Sequence, residues 1–223
     1  RGCKFNVSGD SSILFTGPCT NFTLEDCVFE GGSAGGDRRF WDGTGNVLGG
    51  DIVIKGNHVK NYTVYWMLGD VNTDSSSSGT VAIRDFTMES NFFDNVSGSF
   101  ACRGLASDPI RKAIIKDNVW NIPNPAVLFW DAIEVSGGVK KVVCTDNIAT
   151  ISDGGVKRGF FQCWSKSSKP WKIKYTRNVL HGPFRVGLKI AMSEPSFYAP
   201  DSADDFHFIK ISSLNHLLRT PVV

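Results

Sequence analysis

Five copies of one short phrase constrain this chain more than any other feature. They are Ile54-Lys55-Gly56-Asn57-His58-Val59, Met88-Glu89-Ser90-Asn91-Phe92-Phe93, Ile115-Lys116-Asp117-Asn118-Val119-Trp120, Cys144-Thr145-Asp146-Asn147-Ile148-Ala149 and Tyr175-Thr176-Arg177-Asn178-Val179-Leu180. Apart from small variations, an apolar residue is followed by two polar residues, Asn, and an apolar or small residue. The anchors Asn57, Asn91, Asn118, Asn147 and Asn178 succeed one another at nearly even intervals. Recurrence at roughly 20–50 residues marks a stacked architecture, in which each unit buries its apolar face against the next.

Four of the phrases follow or contain short β-branched runs: Ile52-Val53-Ile54, Val81-Ala82-Ile83, Ala113-Ile114-Ile115 and Val142-Val143-Cys144. A second apolar run follows each anchor: Val64 to Leu68, Ser99 to Cys102, Ala126 to Trp130, and Phe160 to Trp164. Both kinds of run read as strands. No segment sustains the period of an amphipathic helix, which excludes repeats that need one. What remains is an all-β coil whose equivalent strands pair in parallel. An Asn at each corner suits this, because it tolerates left-handed backbone angles and its amide can hydrogen-bond along a column.

The 223 residues form one domain with a large core. At about 30 residues per repeat the coil has about seven turns, and strands stacked at ~4.8 Å make it roughly 30–35 Å long. The clear repeats end near residue 192. Residues 193–223 form a loop followed by an alternating strand, Phe206 to Ile211, with Asn215 as a shifted last anchor and the possible start of a further C-terminal region. The Gly-rich stretch 31–51 and the Ser-rich stretch 74–79 read as loops. Residue 1 falls inside a repeat and neither end carries a cap, so the chain is expected to be a fragment of a longer polypeptide.

The net charge is +2, from 24 basic and 22 acidic residues, so no nucleic acid partner is expected. No apolar run is long enough for a membrane-inserted helix. The six Cys (Cys3, Cys19, Cys27, Cys102, Cys144, Cys163) form no CxxC pair, and the four His are scattered, so neither a metal nor a cofactor is expected. Gly2-Cys3-Lys4-Phe5 and Asp26-Cys27-Val28-Phe29 look like successive copies that stack Cys3 on Cys27. Most of the Cys read as small buried thiols, with a Cys3–Cys27 disulfide as the alternative. Sequons at Asn6, Asn21, Asn61 and Asn95 are weak evidence for secretion.

The repeated phrase, the wide polar turns and the many aromatics resemble the right-handed parallel β-helix of the pectate-lyase-like superfamily. Phage tailspikes and polysaccharide depolymerases are nearest in character. The resemblance covers about 1–190 and implies a homotrimer in a virion tail, assembled in the host cytoplasm, that binds and cleaves a bacterial surface polysaccharide. A non-enzymatic virion module and a secreted polysaccharide lyase or epimerase are the alternatives. Asn72-Thr73-Asp74 matches one polygalacturonase motif, but the other motifs of that family are missing.

In such a fold a glycan lies along one face of the rod. Trp130 and Trp164 recur in the second apolar run and are expected to offer stacking surfaces on neighbouring turns. Arg103 and Arg158 are candidates for holding hydroxyl or uronate groups, and a lyase would draw its base from these or Lys157. Asp70 follows Asn57 at the same offset as Asp131 follows Asn118, which places the two acids two turns apart. At ~4.8 Å per strand that is about 9.6 Å, close to the separation of an inverting glycosidase's carboxyl pair. Glu134 is a second partner for Asp131.

Overall fold

The structure is a computed structural model. It describes residues 3–7, 11–14, 19–31, 39–42, 48–63, 66–69, 83–97, 100–104, 110–122, 133–137, 139–152, 159–164, 172–182, 186–191 and 209–210. In chain order the strands begin with β1 (Lys4–Val7), β2 (Ser11–Leu14), β3 (Cys19–Thr20), β4 (Thr23–Glu25), β5 (Val28–Gly31) and β6 (Arg39–Asp42). Then come β7 (Leu48–Lys55), β8 (His58–Thr63), β9 (Trp66–Gly69), β10 (Ile83–Glu89), β11 (Phe92–Ser97) and β12 (Phe100–Gly104). The same three-strand unit recurs as β13 (Lys112–Lys116), β14 (Val119–Ile122), β15 (Ile133–Gly137), and β16 (Lys141–Thr145), β17 (Ile148–Ile151), β18 (Gly159–Trp164). It recurs once more as β19 (Lys172–Thr176), β20 (Val179–His181) and β21 (Val186–Ala191), followed by β22 (Ile209–Lys210).

Every pairing between these strands is parallel, and neighbours in each large sheet are mostly three apart in sequence order. An entry sheet runs β22-β19-β16-β13-β10-β7-β3, with β4 also on β7. An exit sheet runs β1-β5-β8-β11-β14-β17-β20, and a third sheet runs β21-β18-β15-β12-β9. β2 and β6 pair separately. The protein is therefore all-β, with stacked parallel sheets and no helix among the described residues. This arrangement is compatible with a parallel β-helix. Each repeat holds three strands, and the one directly after the anchor Asn is not separately visible in the apolar runs. The apolar run Val81 to Ile83 also misplaces a strand. The residues in register with Ile52 and Ile54 are Phe86 and Met88.

The anchors form a continuous buried ladder between the entry and exit sheets. Asn57, Asn91, Asn118, Asn147 and Asn178 are each no more than 2% exposed. The Asn57 backbone N–H and Nδ2 both donate to Asn91 Oδ1, at 3.0 Å each. Asn91 donates in the same way to Asn118, Asn118 to Asn147, and Asn147 to Asn178. Each Nδ2 also donates to a backbone carbonyl just before the preceding rung: Leu24, Ile54, Met88, Ile115 and Cys144 in turn. In Asn57, Asn91, Asn118 and Asn147 both amide protons thus find acceptors without water, which a buried amide requires. At the N-terminal end Cys27 takes the next position, its backbone N–H donating to Asn57 Oδ1.

One expectation is corrected here. The left-handed residue is the one before each rung, not the Asn itself. Asp26, Gly56, Ser90, Asp117, Asp146 and Arg177 have φ between 54° and 64°. This single bend turns the chain from entry to exit strand and leaves the Asn amide aimed along the column. Only Gly56 is a glycine. The other five bear the strain of a left-handed bend because the pairing on both sides fixes it.

The core lies between the sheets. Ile52, Phe86, Ala113, Val142 and Ile173 stack in register on the entry sheet, and Val59, Phe93, Trp120, Ala149 and Leu180 on the exit sheet. Cys27, Cys102, Cys144 and Cys163 are buried thiols, and burial pushes the Cys144 thiol well up. Cys3 is exposed and its thiol is not in a disulfide; it adjoins β1 as Cys27 adjoins β5, and Val28 N–H donates to its carbonyl. The Cys19 side chain, Asn215 and Phe206 to Phe208 lie outside the described residues. Ile209 and Lys210 pair with Ile173 and Lys174, so part of the segment after 192 joins the entry sheet.

Candidate functional site

The third sheet carries the sequence candidates that the structure reaches. Its register runs Trp66, Phe100, Ile133, Phe161, Leu188 at one level. One residue on, Met67, Ala101, Glu134, Gln162 and Lys189 align. Two residues further, Gly69 pairs with Arg103 and Arg103 with Ser136, while Trp164 pairs with Ala191. The levels between contain Cys102, Val135 and Cys163, all 0% exposed. Arg103 and Trp164 therefore sit two strands apart at equivalent level, about 9.6 Å along the stack. Glu134 lies on the strand between them, two residues before their level.

Asp70, Asp131, Trp130 and Arg158 lie outside the described residues. Their flanking strands show that equal offset from an anchor is not equal register. Trp66 and Phe100 each follow their Asn by nine residues, whereas Ile133 and Phe161 follow theirs by fifteen and fourteen. Through Arg103, Gly69 aligns with Ser136, which is five residues past Asp131. The connection from exit sheet to third sheet is longer in the Asn118 repeat. The run Ala126 to Trp130 lies outside the described residues, and another strand stands in register with Gly159–Trp164. That strand is Ile133–Gly137.

Two outer faces that the sequence reading passed over are well defined. On the exit sheet Val28, His58, Phe92, Val119, Ile148 and Val179 form one column. Val28, Phe92, Ile148 and Val179 are 36–42% exposed, and they are the large exposed hydrophobics among the described residues. His58 stacks on Phe92 with ring centroids 4.8 Å apart.

On the entry sheet the outer face is charged. Arg84 Nε donates to Asp51 at 2.8 Å, Arg111 makes the same fork to Asp85, and Arg177 binds Asp146. Glu89 lies 3.8 Å from both Lys55 and Lys116. The Arg84 hydrogen bonds hold the Asp51 carboxyl below its ordinary range, and Arg177 does the same for Asp146. These fork-shaped pairs are exposed, so they fix arginine geometry more than they stabilise the fold. No cluster of His, Cys, Asp and Glu among the described residues could hold a metal. No helix of the described residues is long and apolar enough to cross a membrane.

Comparison with protein-family models, with curated proteins and with solved structures found no match to this chain.

Proposed function

We propose that the chain is a right-handed parallel β-helix of about seven turns from a phage tailspike-like protein. In this reading it binds a bacterial surface polysaccharide in the virion tail and degrades it, by glycoside hydrolysis. The observation that carries the reading is the buried Asn ladder joining stacked all-parallel sheets, since it makes a stiff elongated scaffold on which a long polymer can lie across several repeats. Support for the position of the site comes from the third sheet, where Arg103 and Trp164 share a register level two strands apart and Glu134 lies two residues before it on the strand between. Arg103 would hold hydroxyl or carboxylate groups, Trp164 would stack on a pyranose face, and Glu134 would act with Asp131 or Asp70 as the acid–base pair. Residues 1–192 form the rod in this proposal, and Ile209 and Lys210 extend its entry sheet.

The test is incubation with a panel of bacterial surface polysaccharides, reading new reducing ends and absorbance at about 235 nm in parallel. Hydrolysis gives reducing ends without absorbance, and Glu134→Gln then lowers the rate by roughly 100-fold or more. Absorbance from an unsaturated product assigns a lyase and removes the carboxylate mechanism. Binding without either signal assigns the non-enzymatic module, and absence of binding to every polysaccharide sinks the reading.

A homotrimer belongs to the same proposal. What supports it is the exposed apolar column Val28–Phe92–Ile148–Val179, which runs along the stacking direction as a contact between parallel copies would. The wild-type protein is expected to sediment as a trimer and Phe92→Asp as a monomer with unchanged circular dichroism. A wild-type monomer at micromolar concentration defeats the trimer.

A further inference from the structure

We infer that the outer face of the last entry-sheet strands is a docking strip for an anionic polysaccharide, one bearing carboxylate, sulfate or phosphate groups. The inference rests on the glycan-binding reading above and adds to its third-sheet site a charge class and a second contact face, on the entry sheet.

Charge is distributed unevenly along the entry sheet. In the first repeats the arginines and lysines on this face have carboxylate partners. Arg84 has Asp51, Arg111 has Asp85, and Lys55 and Lys116 share Glu89. Toward β16 and β19 the carboxylates run out while the cations continue. Asp51 aligns with Asp85 and Asp85 with Lys112; beyond that, Lys141 aligns with Lys172. Lys140, Lys141, Lys172 and Lys174 are all exposed and make no ion pair among the described residues. The carboxylate described at this end, Asp146, is occupied by Arg177.

Like charges directly opposite on paired strands are destabilising, so Lys141 against Lys172 works against the fold. Lys172 and Lys174 alternate with buried Ile173 and Tyr175, so the strand pattern itself presents both lysines on one side. Lys174 then aligns with Lys210 on β22. Lys141, Lys172 and Lys174 thus set ammonium groups ~4.8 Å apart between strands and about 6.6 Å apart along a strand. A polymer with regularly spaced anions relieves the repulsion and releases its own counterions. The face is a pleated sheet interspersed with Val143 and Ile114. Among the described residues of these strands it has no outward aromatic side chain for stacking nucleic acid bases, and no protruding helix or ribbon to enter a duplex groove. Those features favour an acidic glycan over DNA or RNA.

The experiment compares polygalacturonate, dextran sulfate, neutral dextran, the neutral members of the bacterial polysaccharide panel, and a DNA duplex, by affinity electrophoresis and calorimetry at about 50 and 200 mM salt. The strip variant is Lys140→Gln/Lys141→Gln/Lys172→Gln/Lys174→Gln. The control variant removes as many charges elsewhere, as Lys4→Gln/Lys55→Gln/Lys60→Gln/Lys116→Gln. The wild type is expected to bind at least one acidic glycan, with affinity falling roughly tenfold or more between the two salt concentrations. The strip variant loses tenfold or more and the control variant keeps most of its binding. Equal loss in both variants means net charge alone is read and overturns the strip. Retention of a neutral surface polysaccharide without either acidic glycan overturns the strip and leaves the glycan reading standing. Tighter binding to the duplex than to every glycan, or no binding at all, overturns both.

Discussion

Asn118→Ala is expected to destabilise the protein by about 3–5 kcal/mol in urea unfolding monitored by circular dichroism, because it breaks the ladder at its middle rung. The truncation removes the acceptor of the Asn91 backbone N–H and of Asn91 Nδ2, and the donor to the Met88 carbonyl and to Asn147 Oδ1. The position is 0% exposed, so water does not replace these partners. Each buried polar group left without a partner costs about 1–3 kcal/mol, and Asn91 N–H and one Asn91 Nδ2 proton lose their shared acceptor. Thr150→Ala, at an exposed position of β17, is the control and should shift stability by less than about 0.5 kcal/mol. If Asn118→Ala falls within about 1 kcal/mol of that control, the cost of an ordinary substitution, the ladder is not what holds the repeats in register.

Asn118→Asp sharpens the same test through pH. The carboxyl would keep an acceptor for Asn91 but would be ionised in a dry site without a cation, so burial raises its folded pKa above the unfolded value. For an acid the sign follows directly. The folded state binds the extra proton between the two pKa values, so stability relative to wild type falls as pH rises above about 4. The gap to wild type should be wider at pH 7 than at about pH 4. A gap that does not change with pH would mean that position 118 is hydrated, and one that narrows as pH rises would mean that the hydrogen bonds from Asn91 outweigh burial.

The ladder was legible in the sequence because its chemistry is local. An amide that must stack in a column can only be Asn at a fixed place in each repeat, and five such places stand out by eye. The third strand was less legible. Connections such as Ile122 to Ile133 vary in length without disturbing the strands they join, since extra loop residues cost little free energy. Equal offsets from two anchors therefore need not reach equal register levels, as Phe100 and Ile133 show by pairing at nine and fifteen residues past their Asn, while Arg103 and Trp164 share a level with Glu134 two residues before it. The lysine strip was present as Lys140-Lys141 and Lys172-Ile173-Lys174, but nothing in sequence shows that Lys141 faces Lys172. That relation exists only once β16 and β19 are paired.

Trp120→Ala is expected to cost about 3–5 kcal/mol, through cavity formation rather than lost hydrogen bonds. Trp120 is 5% exposed. It stacks on Phe93 with centroids 4.9 Å apart, and meets Phe160 edge-on at 5.7 Å. Its register neighbour on the other side is Ala149, so a large ring sits against a small side chain and fills the space that Ala149 leaves. Core sites that can collapse lose less on truncation, and this one cannot collapse easily. Trp120 is two residues past the Asn118 rung, and β14 is held on both flanks by parallel pairing to β11 and β17. The strands stay ~4.8 Å apart, so the void remains. The ladder and the aromatic stack are thus one device, the first fixing the spacing that the second fills. A double-mutant cycle with Phe93→Ala separates packing from mere burial. Stacked rings should show a coupling of about 0.5–1.5 kcal/mol, with the double variant less destabilised than the two singles together. Trp120→Phe should recover more than half of the loss by restoring a ring against Phe93. Singles that add within about 0.3 kcal/mol would show that the rings are not coupled. A cost for Trp120→Ala under about 2 kcal/mol, below the range of a rigid core truncation, would mean that the exit sheet relaxes around the void and that the rigidity assigned to the ladder is wrong.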